Sequence, residues 1–304
     1  MQFNFRRLFN LTHSKKFFIK VSLCLLPLCL LANFITSANI LDDSIPSISS
    51  PFIDDEFIIV DTDVKTELPN RFRDIEKLNI SGSAQFNPIQ LDNLKEKIGT
   101  DNITIVDLRQ ESHGFINDTP ISFYSLFKLI NCGLSTKDTL KSEKKALSSI
   151  KEDNPINLYD KDAYLKETIN ANKILSEHNS VKNANLNYHR FAVKDGGIPT
   201  PTVVDDFVSF VVNLDPEIHL HFHCHEGLGR TTTFMSLYQM IKNTDKLSLE
   251  EILNEQVSAG GEVLTKSKSR SKFLEHFYNY TLENIDTHFK TPYSTWISQS
   301  NIKN

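Results

Sequence analysis

Residues 223–232 read His-Cys-His-Glu-Gly-Leu-Gly-Arg-Thr-Thr, so that five residues, two of them glycine, separate Cys224 from Arg230. A strand-like run, Ile218 to Phe222, enters this stretch, and a helix-like run, Thr231 to Ile241, leaves it. Strand, glycine-bearing loop and helix together make an anion cradle, because loop N–H groups and the helix N-terminus converge on one point. Cys224 sits where that positive field is strongest, and the field favours the thiolate, which is the nucleophilic form. Arg230 can return to the same point with a planar fork that grips a phosphoryl group through two hydrogen bonds. Gly227 and Gly229 let the backbone approach the anion and take positive φ. The Thr231 hydroxyl can reach back to the sulfur. Cys224, Arg230 and Thr231 are therefore expected to carry chemistry. His223, His225, Glu226, Gly227, Leu228 and Gly229 are expected to wrap the bound anion. A buried structural cysteine before an ordinary helix would leave the arginine and both glycines unexplained.

A thiolate that attacks phosphorus expels an alkoxide, which needs a proton. The run Asp195-Gly-Gly-Ile-Pro-Thr-Pro supplies an acid followed by glycines and stiffened by prolines, so Asp195 is expected to be the general acid. The same segment also reads as a helix start, with Thr200-Pro201, Asp205 and Asp206 as the starting residues. Lys194 precedes the acid and is a candidate phosphate contact. Arg71 and Arg73 are candidates too, with Lys266, Lys268 and Arg270 behind them. A different chemistry lies in the alternation of His219, His221, His223 and His225, since period two puts such residues on one strand face and histidine clusters bind zinc or copper. The loop begins near Cys224, however, so the fourth histidine would leave that face. No carboxylate or cysteine clearly completes a site, and no metal ligand is assigned.

These residues need elements to hold them. A chain of 304 residues, 39% hydrophobic, suffices for one sizeable domain with an inserted subdomain. Its net charge of −5 and its lack of a basic-aromatic array exclude a nucleic-acid binder, so an anionic ligand must meet local positive charge in a cleft. Residues 1–38 combine a basic start (Arg6, Arg7, Lys15, Lys16, Lys20), an apolar run from Val21 to Ile35 and small residues at Thr36-Ser37-Ala38. They read as an export signal, with an uncleaved membrane anchor as the alternative and the sole membrane contact. The apolar run is short for a span. Of the four cysteines, Cys24 and Cys29 lie in that leader, and Cys132 and Cys224 make no disulfide framework. Residues 39–68 read as an N-terminal extension with one short strand at Phe57 to Val60. Residues 69–290 form the main domain and residues 291–304 a tail. Ile103 to Leu108 and Leu186 to Val193 read as strands, Thr202 to Leu214 as a helix, and Leu247 to Ile252 as a capped helix start. Leu126 to Val181 reads as mostly helical, an insertion or cap over the sheet. Asp107 and Arg109 are expected to pair across a turn, while Glu111 and His113 either face the site or pack structurally.

The His-Cys-(five residues)-Arg-Thr loop resembles the phosphate loop of the protein tyrosine phosphatase superfamily. Four further segments narrow the resemblance: Pro69 to Arg73, Gly82 to Phe86, Asp107 to Phe115, and Asp195 followed by Pro199-Thr-Pro. In this order they resemble the cysteine phytases, bacterial phosphatase-like inositol polyphosphatases, from roughly Pro69 to Tyr280. The resemblance implies an α/β fold of protein tyrosine phosphatase type: a central, mostly parallel sheet flanked by helices, with a small inserted subdomain. It also implies hydrolysis of inositol polyphosphates such as phytate through a phosphorylated Cys224, without cofactor or metal, the small polyphosphorylated molecule being the partner. The alternatives are a protein tyrosine, dual-specificity or phosphoinositide phosphatase, and a non-catalytic phosphate- or metal-binding module. The expected location is periplasmic or secreted, with membrane anchoring or delivery into a host cell as alternatives. One departure stands out: the loop has His225-Glu226 where the family commonly has a glutamate and then a small residue.

Overall fold

The computed structural model describes residues 56–62, 66–125 and 130–302. The leader and most of the expected extension lie outside them. Among the described residues no helix is long and apolar enough to cross a membrane.

Two sheets organise these residues. The first has five strands in the order β10-β4-β11-β3-β2: β2 (Arg73–Ile75), β3 (Ile80–Ser83), β4 (Ile103–Arg109), β10 (Asn187–Val193) and β11 (His219–His223). All neighbours are parallel except the β2–β3 edge pair. Parallel strands covered on both faces read as nearly continuous apolar runs, and every residue of β4 (ITIVDLR) is buried. Alternation still sorts its side chains, with Val106 and Leu108 in one apolar cluster and Ile103 and Ile105 in another. The register lines up Arg190, Asp107, His223 and Ser83 in one row near the strand ends, directly beneath the loop that follows β11.

Helices cover both faces. On one lie α4 (Pro201–Val212) and α5 (Gly229–Ile241), backed by α6 (Leu249–Ser258), α7 (Lys268–Asn284) and α8 (Tyr293–Ile302), around Phe207, Phe222, Phe234 and Phe277. Thr200 caps α4 with Pro201 in its first turn, and Ser248 and Glu251 form a capping box on α6. From Arg230 to Ile241, α5 is buried at every position. The other face receives α1 (Pro88–Ile98), through Leu91 and Leu94, and α3 (Glu177–Asn183), through Val181.

The second sheet has six strands in the order β8-β7-β1-β6-β5-β9: β1 (Phe57–Val60), β5 (His113–Ile116), β6 (Thr119–Tyr124), β7 (Pro155–Tyr159), β8 (Leu165–Asn170) and β9 (Ile174–Leu175). With Leu147 and Ile150 at the end of α2 (Thr136–Ser149), it encloses its own apolar cluster. Three expectations are corrected here. The segment from Leu126 to Val181 contains only α2 and α3 as helices among its described residues; positions 155–175 carry three strands. The β7–β8 hairpin is mostly exposed, so it lacks the apolar alternation that marks a half-buried strand. Strand β1 pairs with both β6 and β7 inside the second sheet, so these residues belong to the folded body rather than to an extension. The tail is also structural: Tyr293 is 3% exposed among Phe273, Phe277 and Tyr280, and Ser294 N–H donates to Asp205 at 2.9 Å.

Candidate active site

The loop between β11 and α5 is tied down by its carbonyl oxygens. Gln85 N–H donates to His225 O (3.1 Å), Arg71 Nη1 to Glu226 O (2.9 Å) and Arg73 Nη1 to Gly227 O (2.9 Å). In a planar trans peptide the next N–H points the opposite way. Fixing these three carbonyls outward therefore turns the N–H groups of Glu226, Gly227 and Leu228 toward the inside of the loop. Gly227 has φ +71, and a Cβ there would lie 2.4 Å from Ala84 N, so glycine is required on both counts. Cys224 lies beneath, 2% exposed, and accepts a hydrogen bond from Thr231 Oγ1 at 3.2 Å.

Arg230, 3% exposed, closes the loop. Its Nη1 and Nη2 donate to Glu111 Oε2 (2.7 Å) and Oε1 (2.9 Å), Nη1 also to Val193 O (3.0 Å), and Nη2 to Asp195 Oδ1 (3.2 Å). The expected nucleophile, arginine and acid are thus brought to one place by β11, α5 and the turn after β10. Glu111, one of two open expectations, faces the site. Burial would push its carboxyl up, but Arg230 and Arg109 outweigh that and hold it well below the usual carboxylate range. Behind it stands Arg109, fully buried, donating to Glu111 (2.9 Å), Asp61 (2.8 Å), Gln85 (2.6 Å) and the Ser122 hydroxyl. Asp61–Arg109–Glu111–Arg230–Asp195 is therefore a continuous charged chain from the second sheet to the expected acid. Asp61 and Gln85 were not legible as site residues, because their partners are distant in sequence.

The expected Asp107–Arg109 pair holds the turn through the Arg109 backbone, while the Arg109 guanidinium turns to other partners. Asp107 accepts the Arg109 backbone N–H (2.8 Å), and its carboxylate otherwise meets Tyr188 OH (2.6 Å), Arg190 Nε (3.2 Å) and His113 Nε2 (3.3 Å). His113 packs structurally within this buried cluster.

The candidate cations divide into three groups. Arg73, 5% exposed, donates to Gly227 O and to Thr232 Oγ1 (3.1 Å), so it holds the loop from behind instead of facing its mouth; burial lowers its pKa to about 10. Arg270, 7% exposed, donates to Gly197 O at 3.3 Å beside Gly229 and so bridges the acid's loop to the nucleophile's loop. Lys194 lines a pocket of about 140 Å³ with Glu111, Tyr124, Lys161, Asp195, His225 and Glu226, and Arg71, exposed, reaches both the carbonyl and the carboxylate of Glu226. Lys266 and Lys268 are exposed and make no hydrogen bond or ion pair with the loop. Sequence reasoning missed Lys161, which the turn between β7 and β8 presents to Glu226. A larger groove, about 1330 Å³ between α2, α3 and α4, is lined by other residues than Cys224, Arg230 and Asp195.

The alternating histidines meet separate partners. Ser81 Oγ meets His219 Nε2 (2.8 Å) and His221 Nδ1 (2.9 Å), and Ser83 Oγ meets His221 Nε2 (2.9 Å). His223 Nε2 donates to Glu177 Oε1 at 2.7 Å, which leaves its buried Nδ1 unpaired. His225 Nε2 lies 3.3 Å from Asp61 Oδ1, a contact short of hydrogen-bond geometry. Among the described residues Asp107, Glu177 and His223 bring three potential metal donors within 4.8 Å. Arg190 and Tyr188 already engage Asp107, and Gln85 and His223 engage Glu177, so these donors serve the protein's own hydrogen bonds.

The family model for protein tyrosine phosphatase-like phytases, described as inositol hexakisphosphate, matches residues 106–242. The tyrosine phosphatase-like phytase of Bdellovibrio bacteriovorus is 29% identical, with a TM-score of 0.70 over 80% of this chain and 95% of that one. The tyrosine phosphatase-like myo-inositol phosphatase of Mitsuokella multacida, solved with myo-inositol-(1,3,4,5)-tetrakisphosphate, is 26% identical, with a TM-score of 0.74 over 89% of this chain. Effector protein hopD2 of Pseudomonas syringae pv. tomato is 28% identical over 233 residues, 69% of this chain. The chain spans about half of the hopD2 and Mitsuokella proteins, 49% and 52% respectively. In sequence over residues 106–242, and in fold over most of its length, the chain is thus similar to the protein tyrosine phosphatase-like phytases.

Proposed function

We propose that the protein hydrolyses phosphate monoesters of myo-inositol polyphosphates through a cysteinyl-phosphate intermediate. The observation that carries this is the convergence on one point of the Cys224 sulfur, the inward N–H groups of its loop, and the Arg230–Asp195 pair. The Cys224 thiolate attacks phosphorus in line, forming the S–P bond as the P–O bond to the ring breaks. Loop N–H groups and Arg230 hold the equatorial oxygens as charge spreads over them. Asp195 gives its proton to the departing alkoxide. Now a carboxylate, it takes a proton from water, which attacks phosphorus, releases inorganic phosphate and regenerates the thiolate. Thr231 steadies that thiolate by its hydrogen bond. Arg71, Lys194 and Lys161 meet the remaining phosphates. Arg73, Arg270 and Glu111 act as positioning residues. Every step uses groups of this chain.

The test is phosphate release from phytate, in the presence of a chelator, by wild type and Cys224→Ser. Release by wild type alone is expected; equal release by both would overturn the mechanism. One observation favours a second reading, a phosphatase of phosphotyrosine or phosphoinositide substrates: the loop itself carries the Glu226 carboxylate at its mouth. Turnover of a phosphotyrosine peptide without turnover of phytate would select it. Export, with delivery into a host cell, is the location we favour, supported by the likeness to a protein named as an effector. Fractionation of the producing cells tests it.

A further inference from the structure

We infer that Glu226 sets how many phosphates the site accepts: its carboxylate occupies the place between Arg71 and Lys161 that a second phosphate of a polyphosphorylated ring would take. The inference rests on the reading that the Cys224 loop receives a phosphate monoester.

The two cations come from opposite sides. Arg71 lies in the turn before β2, and its Nη1 is 3.3 Å from Glu226 Oε2. Lys161 lies in the β7–β8 turn, which Asp160 builds by accepting the N–H groups of Asp162 and Tyr164 at 2.9 Å, and its ammonium donates to Glu226 Oε1. Glu226 therefore spans the mouth of the loop from the first sheet to the second. Its carboxyl is held below the usual range: burial would raise it, and Lys161, His225 and Arg71 more than offset that. It is thus a full negative charge at neutral pH, set beside the binding point of an anion.

The carboxylate is not needed to hold the loop. The backbone carbonyls of His225, Glu226 and Gly227 already do that. Nor does it anchor the fold, since the side chains of Arg71, Lys161 and Glu226 are 42, 44 and 46% exposed, and ion pairs that exposed contribute little to stability. Arg71 also stands at φ +57, a left-handed conformation that costs a side-chain-bearing residue and is kept where the surroundings over-determine it. What remains is an electrostatic role. A monophosphate needs only the loop and Arg230. A ring carrying several phosphates must take Arg71 and Lys161 from Glu226, and meets its charge as it does so. An unfavourable charge of this kind lowers affinity more for each further phosphate a ring brings, while leaving the contacts to the phosphate on the loop unchanged.

The experiment measures binding, so that it does not depend on turnover. Inositol hexakisphosphate and inorganic phosphate are titrated by calorimetry into Cys224→Ser protein, with and without Glu226→Gln. Removing one unit charge at close range is expected to tighten hexakisphosphate about tenfold more than phosphate. Glu226→Ala, checked by thermal unfolding, guards against a loss of folding in the first variant. Equal changes for both ligands, weaker hexakisphosphate binding, or no hexakisphosphate binding with either side chain would overturn the inference. If wild type fails to hydrolyse hexakisphosphate yet the binding ratio shifts as expected, the substrate assignment is wrong and the role of Glu226 stands.

Discussion

Glu111→Gln removes one charge and almost no volume from the centre of the charged chain. Glu111 accepts two hydrogen bonds from Arg230, at 2.7 and 2.9 Å, and one from Arg109 at 2.9 Å. The glutamine oxygen can keep two of the three, while its NH₂ group faces a guanidinium. Hydrogen bonds to charged groups contribute about 1.5–3 kcal/mol each, and breaking a buried pair costs about 3–5 kcal/mol. With Glu111 partly reached by solvent, a loss of about 2–4 kcal/mol is expected, which lowers the melting temperature by roughly 5–15 °C for a domain of this size. The functional effect is separable. Arg230 loses the partner that orients its fork, and a displacement of about 1 Å at such a site costs on the order of 10²-fold in rate. Thermal unfolding followed by circular dichroism measures the first quantity. The kcat for an aryl phosphate at saturating concentration, well below the melting temperature, measures the second. A variant that melts with wild type and keeps kcat within a few-fold would refute the view that Glu111 holds Arg230.

Three other outcomes follow from the same geometry. Gly227→Ala must place a Cβ 2.4 Å from Ala84 N at φ +71, with backbone on every near side; a loss of about 2–4 kcal/mol and of nearly all activity is expected, read from urea unfolding and phosphate release. Thr231→Val deletes the 3.2 Å hydrogen bond to the sulfur while preserving shape, so the thiolate leaves the phospho-enzyme about tenfold more slowly, and stopped-flow should show a burst ahead of a slower steady state. Burial and Arg109 push His113 down, but the carboxylates of Asp107 and Glu143 outweigh them and lift it to about 10. A raised folded pKa gives stability that is complete below about 6.5 and is lost as pH rises toward 10, on the order of 2–4 kcal/mol. Urea midpoints across that window should fall for wild type and flatten for His113→Gln.

Local signals were legible where chemistry and backbone geometry coincide in one stretch. The loop from Cys224 to Arg230, the strand before it, the helix after it and the acid at Asp195 are all contiguous patterns. The apolar run of β4 and the face of α4 formed by Val204, Phe207, Val208 and Val211 were readable for the same reason. What escaped depends on long-range pairing. Nothing near Asp61 indicates that it meets Arg109, and nothing near Glu177 indicates that it meets His223, 46 residues away. The exposed β7–β8 hairpin hides its strands, and with them the turn that carries Lys161. Arg73 and Arg270 were read as ligand contacts because their charge was visible and their burial was not.

The most direct test of the account is to look for phosphate on Cys224. Asp195→Asn slows both proton transfers and should let the intermediate accumulate from an aryl phosphate, whose leaving group needs little protonation. Acid quench followed by peptide mass spectrometry should then find one phosphoryl group on the peptide bearing Cys224, and none in Asp195→Asn, Cys224→Ala. Turnover with the phosphoryl group on a histidine, or with no phosphorylated peptide at all, would contradict it.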